Sequence, residues 1–194
     1  MHLIGLRGAF EAGLGPGLPC GLIRGRVVRI LDGAAAMGLA AAGTVIMADA
    51  NRTILFVCTG NTCRSPMAEA IARDLLGSDT STVVRSAGVS AADGYPATEE
   101  AQIAMERAGL DLSGHQSRQL TRDLIDWAGV IFAMTDSHRR DILALAPSAA
   151  GKVMNLDPDG GSIPDPIGMP IEDYVDTARV LRDLIARRLK EMQR

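Results

Sequence analysis

The run from Thr53 to Val57 (Thr-Ile-Leu-Phe-Val) is followed at once by small polar residues and then by Ser65-Pro66. A short continuous apolar run bounded by turn residues predicts a strand buried on both faces. Serine followed by proline predicts a helix start, with Ser65 as the N-cap and Pro66 at the first helical position. A buried strand feeding a helix through a tight loop is the opening unit of an α/β domain. It leaves little room for an all-helical or all-β fold.

The rest of the chain repeats the theme. Ala68, Ile71, Ala72 and Leu75 give the first helix an apolar stripe. A short second strand is predicted at Val83–Arg85 and a helix at Ala97–Ala108, stopped by Gly109. A capped helix at Thr121–Trp127, a strand at Gly129–Met134, a helix at Asp136–Leu145 and a strand at Val153–Leu156 follow. A Pro/Gly/Asp-rich loop at 157–170 leads into a long amphipathic helix at Ile171–Gln193. This order predicts one three-layer α/β domain: a four-stranded, mostly parallel sheet flanked by helices, with a phosphate-binding loop after the first strand.

Residues 1–50 differ from the remainder, which forms the domain at 51–194. Ten of the 21 glycines lie there, beside Ala34–Ala36 and Ala40–Ala42. Three readings stay open: a disordered extension, an upstream start assigned in error with Met47 as the natural one, or a signal peptide. The last would use Arg24, Arg26 and Arg29, the apolar stretch 33–47 and Ala48-Asp49-Ala50.

Composition removes several classes. Twenty basic against 23 acidic residues give a net charge of −3 and no footprint for nucleic acid. No apolar run reaches the roughly 18–20 residues needed to span a bilayer. Three cysteines (Cys20, Cys58, Cys63) do not make a disulfide framework. Abundant Ala, Gly and Arg with two lysines suggests GC-rich coding DNA and a bacterium. The expectation is a monomeric cytoplasmic protein that binds neither nucleic acid nor membrane.

In open α/β sheets ligands bind beyond the carboxyl ends of the strands. There the chain reads Cys58-Thr59-Gly60-Asn61-Thr62-Cys63-Arg64-Ser65. Small residues let the backbone curl so that amides from Thr59 to Ser65 point inward as an anion nest. The helix N-terminus adds positive potential, and Arg64 a planar fork for two phosphoryl oxygens. That field is expected to hold the Cys58 pKa in the depressed range of about 3.5–7.5 seen for reactive cysteines. A thiolate beside a bound phosphoryl group is placed for in-line attack and a phosphocysteine intermediate. Arg64 and the amides supply the positive charge, so neither metal nor cofactor is called for, and His2 and His138 have no partners suggesting a metal site. A buried core cysteine would explain Cys58 alone but not this context. The Cys58/Cys63 spacing is not that of a thioredoxin-like redox motif.

From about Ile54 to its end the chain resembles the low-molecular-weight protein tyrosine phosphatase family, whose pattern is Cys-x5-Arg-Ser/Thr followed much later by Asp-Pro. Here those elements are Cys58–Ser65 and Asp165-Pro166. The resemblance implies that Cys58 is the nucleophile, Arg64 the phosphoryl-binding arginine and Asp165 the general acid. Asp157, also followed by proline, competes for the last role. It further implies that Ser65 hydrogen-bonds the thiolate while Asn61, Ser86 and His115 brace the loop.

The loop most resembles that of the bacterial protein-arginine phosphatase branch, where threonine at the position of Thr62 goes with phosphoarginine selectivity. Ile167 stands where tyrosine phosphatases of the family tend to carry an aromatic residue, whereas Met169-Pro170 departs from the Gly-rich continuation common in the arginine branch. The resemblance thus implies phosphorylated protein substrates carrying phosphoarginine, with phosphotyrosine as the alternative. Arsenate reductases of related fold need further cysteines, and none follows Cys63. A non-catalytic phosphate-binding or redox-sensing module, with a reversible Cys58–Cys63 disulfide, is the remaining alternative.

Overall fold

The computed structural model describes residues 52–193; the readings of residues 1–50 lie outside them. Four parallel strands, β1 (Arg52–Cys58), β2 (Thr82–Gly88), β3 (Val130–Ala133) and β4 (Val153–Asn155), form one sheet in the order β2-β1-β3-β4. The helices are α1 (Arg64–Leu76), α2 (Glu99–Arg107), α3 (Arg122–Trp127), α4 (Asp136–Leu145) and α5 (Ile171–Met192). A 3-10 turn at Pro147–Gly151, not expected from the sequence, links α4 to β4.

The sheet separates two apolar layers because neighbouring residues on a strand point to opposite faces. Ile54, Phe56 and Cys58 of β1 pack with Met67, Ile71, Met105, Leu181 and Ile185 from α1, α2 and α5. Leu55 and Val57 pack on the other face with Ile125, Ile131 and Ile142, beneath α3 and α4. The uninterrupted apolar run thus belongs to a strand covered on both sides. Its end delivers Cys58 to the centre of the sheet's carboxyl edge. No helix among the described residues is long and apolar enough to cross a membrane.

Two local expectations are corrected. The N-cap of α1 is Cys63, with no side-chain cap, and the helix begins at Arg64. Ser65 lies inside the first turn because its hydroxyl is drawn inward to Cys58 (2.9 Å) rather than back to the helix amides. Leu75 leaves the buried stripe of Ala68, Ile71 and Ala72 and is 36% exposed. Leu76, one residue on, packs against the core instead.

Candidate active site

The loop after β1 is held by its side chains. Asn61 adopts φ 55°, the only described non-glycine residue with positive φ, a conformation costing about 1 kcal/mol or more. Its amide offsets that cost. Nδ2 donates to Ser65 Oγ and Ser86 Oγ, each at 2.9 Å, and Oδ1 accepts from the Arg118 amide at 2.8 Å. The Asn61 carbonyl lies 2.7 Å from His115 Nε2. Because a carbonyl only accepts, that nitrogen carries the His115 proton. Gly88 closes the other side: a Cβ there would stand 2.3 Å from the Thr59 carbonyl oxygen and 2.9 Å from the Asn61 nitrogen. Any side chain would push the end of β2 off the loop.

Cys58 is 2% exposed. Burial pushes its thiol above the ordinary value, against the pull of the Ser65 hydroxyl and amide, Arg64 and the Asn61 amide. The expectation of a simply depressed pKa is therefore corrected. The polar groups of the loop act in the expected direction, but desolvation of the charged form outweighs them at this depth. Ser65 Oγ sits 2.9 Å from the sulfur and 3.3 Å from the Ala87 carbonyl. Its single hydrogen serves the carbonyl beside a thiol and can swing to the sulfur of a thiolate.

Arg64 is 4% exposed and reaches across to the loop before α5. Nη1 donates to the Ile163 carbonyl at 3.1 Å, and Nη2 forms an ion pair with Asp165. Nε is buried with no hydrogen-bond partner. An orphaned guanidinium donor costs about 1–3 kcal/mol or more, and an anionic oxygen would satisfy it. The Asp165 side chain is 38% exposed. It lies just before a turn in which Gly168 takes φ 74° and the Met169 amide donates to the Pro166 carbonyl. Asp157 instead folds its own turn, accepting from the Asp159 amide at 2.9 Å.

Of the residues singled out in the sequence, Cys58, Arg64, Ser65, Asn61, Ser86, His115 and Asp165 thus form one connected cluster. Thr62 stands apart at its rim, lining a groove of about 470 Å³ with Gly60, Tyr95, Pro96, Thr98 and Glu99. Ile167 is 61% exposed just past Asp165.

Two members of the site are missing from the sequence reading. Glu69, buried on α1, accepts from Ser86 Oγ and pairs with Arg73. A carboxylate on the face that carries Ala68 and Ala72 was the available signal, since such positions are apolar unless a partner waits. His138 contacts Thr59 Oγ1 at 2.9 Å, and nothing local marks it. Among the described residues no group of three or more His, Cys, Asp or Glu side chains is arranged to hold a metal ion.

A buried thiol, an arginine fork and an uncapped helix N-terminus, all from one loop at the carboxyl edge of a parallel sheet, define the class: a cysteine-dependent phosphatase. Residues 53–194 match the family model described as low molecular weight phosphotyrosine protein phosphatase, and the chain belongs to that family. It is 41% identical over 146 residues to a protein-arginine-phosphatase of Geobacillus stearothermophilus, covering 72% of this chain and 95% of that one. It is 35% identical over 136 residues to the low molecular weight protein-tyrosine-phosphatase Ptp of Acinetobacter johnsonii, covering 70% and 94%. Among solved structures it is similar to a cysteine-to-serine mutant of the YwlE arginine phosphatase with a phosphorylated active-site serine. The TM-score is 0.70 with 35% identity, over 73% of this chain and 96% of that one.

Proposed function

We propose that this protein removes phosphate from phosphoarginine residues of proteins through a phosphocysteine at Cys58. Arg64 and the loop amides hold the phosphoryl oxygens. Cys58 first releases its proton to solvent; its thiolate attacks phosphorus while the P–N bond breaks, and Asp165 gives its proton to the leaving guanidinium nitrogen. A phosphoryl group on Arg64 competes for Nη2, which frees Asp165 from the guanidinium to take a proton from solvent and turn toward the leaving atom. Water then attacks phosphorus, Asp165 accepts its proton, the S–P bond breaks and inorganic phosphate departs. The Ser65 hydroxyl donates a hydrogen bond to the departing thiolate.

The observation that carries the choice of substrate is Thr62, a small hydroxyl-bearing residue of the Cys58–Ser65 loop that lines the groove with Gly60. Such a residue leaves space and a polar partner for a hydrated guanidinium, where a bulky aliphatic group would favour a flat phenol. The arginine phosphatases among the relatives support the same choice. A second reading, phosphotyrosine, draws on Tyr95, which lines the same groove at 60% exposure and offers a stacking face.

The test is kcat/KM on matched phosphoarginine and phosphotyrosine peptides without added metal. A strong preference for phosphoarginine is expected; a preference for phosphotyrosine would overturn the substrate and leave the Cys58 chemistry. We place the reaction in the bacterial cytoplasm, where reducing conditions keep a mechanism that depends on the free Cys58 thiol active. A monomer suffices, because one chain supplies every group of the site.

A further inference from the structure

His138 lies on the opposite side of the loop from His115, and the chemistry described so far does not use it. It is 5% exposed, at the start of α4, whose N-cap is Thr135. Its ring is held at both nitrogens: Nδ1 is 2.9 Å from Thr135 Oγ1 and Nε2 is 2.9 Å from Thr59 Oγ1. Thr59 is the residue directly after the nucleophile and is exposed on its outer side.

The direction of this chain follows from counting hydrogens. Thr135 Oγ1 accepts the His138 backbone N–H at 3.3 Å. Its own hydrogen is then best used on Nδ1, which assigns the ring proton to Nε2 and makes Nε2 the donor to Thr59 Oγ1. Burial and Arg64 keep the imidazole below its ordinary pKa, with Asp141 and Asp165 opposing, so the neutral ring has one donor and one acceptor, as the chain requires. Thr59 is therefore clamped between the nucleophile and a helix cap on the far side of the sheet. Its amide and the next one are held where the loop first turns.

The geometry points to His138 as a positioning residue: through the Thr135–His138–Thr59 relay it fixes the entry of the phosphate-binding loop and so the aim of the amides that meet charge developing on the phosphoryl group. Preorganised donors of this kind act mainly in the transition state, so their disorder lowers kcat more than it raises KM. The inference rests on cysteine-dependent phosphatase chemistry at this loop, not on which phosphorylated residue is the substrate.

The experiment uses the full chain and p-nitrophenyl phosphate, which reports the loop whether or not the phosphoarginine reading stands. For His138→Ala, kcat is expected to fall about tenfold, within the range for a displaced positioning group, with KM changed less than about twofold. In His138→Gln the side-chain amide can still donate to Thr59 Oγ1 and should recover most of kcat. Thr59→Val, an exposed substitution, should match the loss of His138→Ala, and the double variant should be no worse than either. Multiplied losses in the double variant would overturn the proposal, as would a change confined to KM or an unaltered kcat. So would a Gln variant as slow as Ala with the same thermal unfolding midpoint. If His138→Ala does not fold, Thr59→Val decides alone: a normal kcat there refutes the relay.

Discussion

Two loops meet at the candidate active site, and they are built by opposite means. The loop at Cys58–Ser65 is buried apart from Thr59 and the partly exposed Gly60 and Thr62. It is pinned from three sides by Ser86, His115 and His138. The segment 157–170 is largely exposed. It reaches the site through the ion pair of Asp165 with Arg64 and the bond from Arg64 to the Ile163 carbonyl. The difference follows from what each must do. Charge-stabilising donors gain most from rigidity and low dielectric. The acid proposed at Asp165 must reach the leaving atom and then the attacking water, so the open side suits it.

That contrast can be broken by mutation. Cys58→Ser should abolish turnover, by about four orders of magnitude or more, since serine beside no general base is a poor nucleophile. Residual phosphatase activity close to the native level would remove Cys58 from the mechanism. Asp165→Asn should slow turnover about 10²–10⁴-fold, most for leaving groups that need the proton, measured on aryl phosphates of graded leaving-group pKa. Asp157→Asn should change it no more than about twofold, because that side chain folds a turn away from Arg64. Equal losses in the two would mean the acid is misassigned.

Stability should separate the two loops as well. Asn61→Ala removes the hydrogen bonds to the Ser65 and Ser86 hydroxyls and the acceptor of the Arg118 amide, and forces alanine to positive φ. A loss of about 2–4 kcal/mol in urea denaturation is expected. Asn61→Gly relieves only the backbone part. If Gly recovers full stability, the side-chain bonds contribute nothing.

Ser65→Ala removes the strongest of the groups opposing burial at Cys58 and should raise its pKa further. The thiolate is the attacking species, so activity on the acid side rises as pH passes through that pKa. The acid limb of kcat/KM must therefore shift to higher pH. A shift to lower pH would show that Ser65 stabilises the thiol. Thr62→Ile should move the phosphoarginine-to-phosphotyrosine ratio of kcat/KM toward tyrosine by about tenfold. An unchanged ratio would shift attention to Tyr95 and Ile167.

The strand-loop-helix unit and its reactive residues were readable because they are local. A buried strand, a loop of small residues and a helix start are spelled within the stretch 53–66. The periodicities of α4 and α5 likewise set their bounds to within a residue. Ser65 was misread as a cap for an instructive reason: a serine before proline has two uses, and only the neighbouring thiol decides between them. Glu69 and His138 were missed because their partners, Ser86 and Thr59, lie 17 and 79 residues away.

The amino-acid sequence by itself determined the parallel α/β order and the pairing of the proposed nucleophile with its arginine, since apolar runs, turn residues and a cysteine–arginine spacing act over a few residues. The depth of Cys58 and the meeting of Arg64 with Asp165, 101 residues apart, were decided only by the tertiary structure. So was the clamp on Thr59 and Asn61. Desolvation and long-range hydrogen bonds depend on which elements pack together, and no local pattern encodes that.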